Sequence, residues 1–175
     1  SLNAVCCLGV CYECGVGTEK NLEHAVALYH KAAKYGSPRA QMLLARAYYT
    51  GRGTAEDREK SMFWLKSAAY QRYGDAMHRL GVCYEYGDGV QQDWTRAARW
   101  FREAAEDGVG AAMTDIGYCY ERGYGVEQDW KQAVSWYRKA AAAGQSVGMT
   151  NLGWCFESGQ GIRQSWERAV YWYRR

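Results

Sequence analysis

The chain has 175 residues and a formal net charge of +3, with 22 Lys and Arg against 19 Asp and Glu. So modest a charge argues against a binder of nucleic acid or of an acidic membrane driven by bulk electrostatics. No apolar run is long enough to cross a bilayer, and composition alone would suit one ordinary compact domain.

The order of residues replaces that reading. Gly17, Gly53, Gly89, Gly125 and Gly161 stand 36 residues apart, and so do Gly15, Gly51, Gly87, Gly123 and Gly159. Tyr12, Tyr48, Tyr84, Tyr120 and Phe156 keep the same step. A fixed period of this length marks a stack of equivalent supersecondary units, each touching its neighbours. The units run 4–39, 40–75, 76–111, 112–147 and 148–175, the last incomplete, and the chain reads as a single repeat domain over 1–175.

Early in the chain, Asn21 opens a second helix and Gly36 closes it. Pro38 after Ser37 suits the first turn of the next helix, with Ser37 as its cap. In the second unit Asp57 takes the cap position. Arg72 stands where other units have Gly36, Gly108 and Gly144, with Gly74 two residues on, so this turn is expected to differ. In the third unit the spacing of Ala76, Leu80, Cys83 and Tyr84 predicts a helix over 76–86. Gly87 and Gly89 end it, since glycine enters the left-handed region without steric cost. Asp93 caps a second helix whose Ala97, Trp100, Phe101, Ala104 and Ala105 form one apolar stripe. Asp129 and Ser165 repeat the cap in the last two units. Large rings on the second helix need hollows, and Gly81, Cys83, Ala104 and Ala105 supply them.

Cys11, Cys83, Cys119 and Cys155 occupy one column, with Ala47 at the same place in the second unit. A position that takes Ala or Cys is a small buried site. Equivalent residues in stacked helices lie about 10 Å apart, too far for a disulfide, which needs Cα atoms within about 7 Å. The seven cysteines are therefore expected to be free thiols, which points to a reducing, cytoplasmic setting. A periplasmic or secreted protein is also compatible, because a chain that begins at Ser1 reads as a piece of a longer one.

Leu80-Gly81, Tyr84, Gly87, Gly89-Val90, Asp93-Trp94, Ala97, Trp100-Phe101 and Ala104-Ala105 together resemble the Sel-1-like repeat, a branch of the tetratricopeptide-like solenoids. All five units carry the pattern. Ala45 departs from it after Leu44, and Leu28 stands in place of the tryptophan. The resemblance implies an all-α, right-handed α/α superhelical solenoid of five 36-residue helix-turn-helix repeats. It also implies an adaptor or scaffold role without enzymatic activity. Two other readings stand beside it: a ligand- or peptide-sensing module of a larger protein, and a structural subunit of an assembly.

In such solenoids the first helices line the concave face. The candidate binding residues there are Arg46, His78, Arg79, Tyr86, Asp115, Tyr118, Arg122, Asn151 and Trp154, with Thr114 and Thr150 on the same face. Aromatic residues and arginine are the commonest hot spots of interfaces, so Tyr86, Tyr118 and Trp154 lead. Trp94, Trp130 and Trp166 each follow a cap. They are read mainly as covers for the glycine loop of the adjacent unit, with an exposed ridge as the alternative. The partner is expected to be a protein or peptide, not nucleic acid, and no direct membrane insertion is expected. The apolar helix containing Val170, Tyr171, Trp172 and Tyr173 suggests end-to-end self-association.

Chemistry is poorly supported. His24 and His30 fall on different helix faces, and His78 diverges from Cys83. Cys11 and Cys14 have the spacing of zinc ligands, but Cys11 belongs to the buried column and no histidine is near. The glycine pairs end helices rather than follow strands, unlike phosphate loops. No catalytic residue, metal or cofactor is expected.

Overall fold

The structure, a computed structural model, describes all 175 residues and is wholly helical. Ten helices follow one another: α1 (Leu2–Cys14), α2 (Leu22–Lys34), α3 (Pro38–Thr50), α4 (Arg58–Tyr70), α5 (Gly74–Tyr86), α6 (Trp94–Glu106), α7 (Gly110–Arg122), α8 (Trp130–Ala142), α9 (Ser146–Ser158) and α10 (Trp166–Tyr173). They form five helix-turn-helix repeats. The chain divides into two compact units, 1–80 and 81–175, with the boundary inside α5.

Within each repeat, one residue ties the two helices together. The side chains of Asn21, Asp57, Asp93, Asp129 and Ser165 accept hydrogen bonds from His24, Lys60, Arg96, Gln132 and Arg168 N–H, as an N-cap column requires. The backbone N–H of the same residue donates to the carbonyl of Tyr12, Tyr48, Tyr84, Tyr120 or Phe156 on the first helix. One position thus starts the second helix and anchors it to the first.

The first unit has its core in α1 to α4, with Cys6, Ala25, Tyr29, Ala32, Ala33, Ala40 and Leu44 in one cluster. The second unit has a matching cluster in α8 to α10, containing Ala133, Val134, Tyr137, Ala141, Leu152, Cys155, Phe156 and Ala169. The expected fit of large against small has a specific form. A Cβ added to Gly9 would lie 2.6 Å from the Tyr29 ring, and one added to Gly81, Gly117 or Gly153 would meet Phe101, Tyr137 or Tyr173 at 2.6–2.7 Å. Each ring packs directly against a glycine of its own repeat. In the second repeat the same two places hold Ala45 and Leu65, both buried. The extra methyl on one side is matched by a missing ring on the other. The departure at Ala45 is therefore one half of a complementary pair. There the Ser61 hydroxyl also donates to the Ala45 carbonyl, at 2.8 Å.

Successive repeats within a unit dock backbone to backbone. A Cβ on Gly53 would come within 2.6 Å of the Leu22 carbonyl carbon, and one on Gly125 would overlap the Trp94 carbonyl and reach within 2.7 Å of Thr95 N. Gly161 meets the backbone of Trp130 in the same way. The loop of one repeat sits on the first turn of the second helix before it, and only a residue without a side chain permits that approach.

Several expectations change. The helix expected over 76–86 begins at Gly74, since Ala76 and Met77 N–H both reach back to the Tyr73 carbonyl. The turn at Arg72 does not differ from the others. Arg72 adopts φ 58°, the left-handed conformation that Gly36 and Gly108 adopt at 90°. The closing bond from Tyr73 N–H to the Ala68 carbonyl matches that from Val109 to Ala104. The bonded geometry of the turn outweighs the cost of a side chain at positive φ. Cys83, Cys119 and Cys155 are buried, but Cys11 is only half-buried, and Cys6 is the enclosed thiol of the first repeat.

Candidate functional site

The inner line of the second unit is built on the last turns of α5, α7 and α9. These turns are held from outside by Gln92, Gln128 and Gln164, whose amides donate to the carbonyls of Glu85, Glu121 and Glu157 at 2.7–2.8 Å. The glutamate side chains are held from inside. The Tyr137 hydroxyl donates to Glu121 at 2.7 Å, and Tyr173 to Glu157 at 2.6 Å. Asn151, on α9, acts on the Tyr137 phenol in the opposite sense to Glu121, lowering its pKa. Burial and the neighbouring carboxylate push both phenols up, Tyr173 to about 12.

One turn before each of these glutamates lies a ring. Tyr118 and Trp154 precede Glu121 and Glu157 by three residues, on the same face. Tyr118 stands edge-on to Tyr124, with centroids 5.8 Å apart, and Tyr124 lies over Trp94 at 4.5 Å. Trp130 lies over Trp154 at 5.5 Å. The Arg122 guanidinium covers the Tyr118 ring at 5.5 Å and reaches Glu121 at 3.2 Å. These rings are not absorbed into the core. Tyr86 is 72% exposed, Tyr118 36%, Tyr124 38% and Trp154 42%. The charge of Glu85, followed by the hydrogen bond that the phenol donates to its carboxylate, holds Tyr86 above its ordinary value.

The tryptophan column therefore does two things. The backbones of Trp94 and Trp130 receive the glycine loops, as expected, and their rings extend the exposed aromatic surface of α7 and α9. The alternative reading of an exposed ridge thus holds in part, and spatial packing supplies its partner, because Trp94 and Tyr124 are 30 residues apart.

The other candidates are placed as follows. Arg46 lies in the first unit, bound to both oxygens of Glu13 at 2.8 and 3.0 Å. Glu13 in turn accepts from the Tyr29 hydroxyl at 2.7 Å. Arg79, also in the first unit, stacks on Tyr49 at 5.2 Å, with Arg58 on the same ring at 3.8 Å. His78 and Asp115 are partly buried. Asn151 is engaged with Tyr137. Thr114, expected on the open face, is buried, and its hydroxyl oxygen has no protein partner. Thr150 turns its hydroxyl back to the Ser146 carbonyl. On the other face of α10, Trp166, Val170 and Tyr171 are exposed. The remaining histidines serve packing, His24 against Tyr12 and His30 against Trp64. No helix is long and apolar enough to cross a membrane.

Comparison with known proteins accounts for this architecture. The Sel1 repeat model matches residues 4–37, 38–73, 74–109, 110–145 and 146–175. The chain belongs to the Sel1 repeat family. Its structure is similar to that of c5321, a protective antigen of uropathogenic Escherichia coli strains with an SLR fold. That match has a TM-score of 0.93 and 34% identity, over 99% of this chain and 37% of that one. A Sel1 repeat protein from Oxalobacter formigenes matches with a TM-score of 0.92 and 34% identity, over 99% of this chain and 69% of that one. Helicobacter pylori cysteine rich protein B is more distant, at 26% identity and a TM-score of 0.59, over 74% of this chain and 92% of that one. The chain thus spans little more than a third of the E. coli protein. A search of curated proteins gives no match. Sel1 repeat proteins generally mediate protein–protein interactions, and the family is generally non-enzymatic.

Proposed function

We propose that this chain is an adaptor or scaffold that holds a partner protein on the first-helix face of its second unit. The observation that carries this reading is the exposed aromatic surface of Tyr86, Tyr118, Tyr124 and Trp154, extended by Trp94 and Trp130. Exposed tyrosine and tryptophan offer large contact area with few torsions to immobilise, and each has a polar atom for a hydrogen bond. The residues beneath them are held, because the glutamine bonds fix the last turn of each first helix and tyrosine bonds hold Glu121 and Glu157. A surface built this way loses little entropy on binding.

Site-specific photo-crosslinking tests the reading once a partner has been isolated. A photoreactive side chain at position 118 or 154 is expected to capture the partner, whereas one at 99 or 138, on the second helices, is not. Capture from 99 and 138 alone would refute it.

A further inference from the structure

The first unit contains a completed version of what the second unit leaves open. In the first repeat the Glu13 carboxylate, fixed by Tyr29, holds the guanidinium of Arg46 from the next repeat. In the second unit the same pair recurs as Glu121 with Tyr137 and Glu157 with Tyr173. The places equivalent to Arg46 two and three repeat steps along are Tyr118 and Trp154, with Val82 at one step. There the protein puts a ring face where the first unit puts a cation. Ring faces attract cations, and Arg122 already lies over Tyr118.

The charge distribution agrees. Within the second unit the first helices carry Glu85, Asp115, Glu121 and Glu157 against the single cation Arg122. The second helices α6, α8 and α10 carry seven Lys and Arg against three glutamates. A chain of net charge +3 thus keeps its excess acid on the aromatic side. Phenol hydroxyls hold Glu121 and Glu157 in place, and as neutral donors they bring no positive charge beside them; Arg122 supplies the one cation, at Glu121.

Resting on the proposed interaction surface, we propose that its occupant is a basic segment of a partner protein. Lys and Arg side chains of that segment lie over Tyr118 and Trp154 and reach the adjacent carboxylates, as Arg46 reaches Glu13. Hydrocarbon stems pack on the rings and the charged heads meet the acids.

The test is fluorescence anisotropy with a short labelled peptide alternating Lys and Ser, beside a twin with Glu in place of each Lys. The Lys peptide is expected to bind, and its affinity to fall about tenfold between about 20 and 200 mM salt. The Glu twin is expected not to bind. Glu85→Gln/Glu157→Gln should weaken the Lys peptide about tenfold, since a cation loses its counter-charge but the hydroxyl bonds keep an acceptor. Tyr118→Ala/Trp154→Ala should remove binding, with the circular dichroism spectrum unchanged. Equal or tighter binding of the Glu twin, no binding of the Lys peptide, or full affinity in the Glu85→Gln/Glu157→Gln variant would overturn the proposal. If position 118 still crosslinks the partner in that event, the assignment of charge fails and the interaction surface stands. If neither 118 nor 154 crosslinks, the surface itself is wrong.

Discussion

Replacing Gly117 by Ala isolates the contact that sets the spacing of the two helices in a repeat. The new methyl would lie 2.6 Å from Cε1 and 2.8 Å from Cδ1 of Tyr137, a side chain with no exposed surface and no room to retreat. Forcing a methyl into such a site costs about 1–3 kcal/mol. Alanine in place of a mid-helix glycine returns about 1 kcal/mol through propensity. The single variant should therefore be destabilised by up to about 2 kcal/mol, which is a fall in melting temperature of several degrees for a chain of this size. Tyr137→Leu alone should cost several kcal/mol, from the lost ring volume and the lost bond to Glu121. In that background Gly117→Ala should become stabilising by about 1 kcal/mol, because Ala and Leu reproduce the pair found at Ala45 and Leu65. The double-mutant cycle, measured by urea denaturation, should give a favourable coupling of about 1–3 kcal/mol. Additivity within about 0.5 kcal/mol would refute the claim that glycine and ring are one complementary unit.

Two further effects can be measured on the isolated chain. Gly125→Ala combines positive φ with a clash against the Trp94 backbone, so it should cost more than 2 kcal/mol (estimated from strain and overpacking), whereas Gly17→Ala, with nothing near its Cβ, should cost only about 1 kcal/mol; equal losses in thermal melts would contradict backbone docking. Burial pushes the Cys119 and Cys155 thiols up to about 12 from an ordinary value of 9.0. The unfolded chain then releases these protons before the folded one does, so stability should be full below pH 9 and decline by about 1.4 kcal/mol per pH unit per thiol between roughly pH 9 and 12. Cys119→Ala/Cys155→Ala should reduce the decline between about pH 9 and 10, below the range where the raised phenols of Tyr137 and Tyr173 add their own loss, and an unchanged slope there in alkaline melts would show that these thiols are not enclosed.

Much of this was legible because it is local or periodic. The cap column and the glycines that end the first helices can be read from residue types at fixed offsets, since a cap bond spans three residues. The pairing of Gly81 with Phe101 was legible as small against large. Other features were hidden by distance or by competition. Arg72 looks like a broken turn because local preference disfavours it at positive φ, yet the bonded frame imposes the geometry of its glycine counterparts. Thr114 looks polar and open, but packing encloses it. Arg46 and Asn151 look available for a partner, whereas Arg46 binds Glu13 across 33 residues and Asn151 reaches Tyr137 from another helix. Tyr137 and Glu121 are 16 residues apart, which is no helical repeat, so their bond is invisible until the hairpin closes. Tyr118 and Trp154 were singled out from their column alone, and the structure leaves both rings exposed.

The most direct measurement compares partner affinity and thermal stability in one variant, Tyr118→Ala/Trp154→Ala. If these rings form a binding surface, affinity for the isolated partner should collapse while the melting temperature falls by only a few degrees, the loss of ring contacts worth about 1 kcal/mol each. Undiminished affinity, or loss of the folded state itself, would contradict the account.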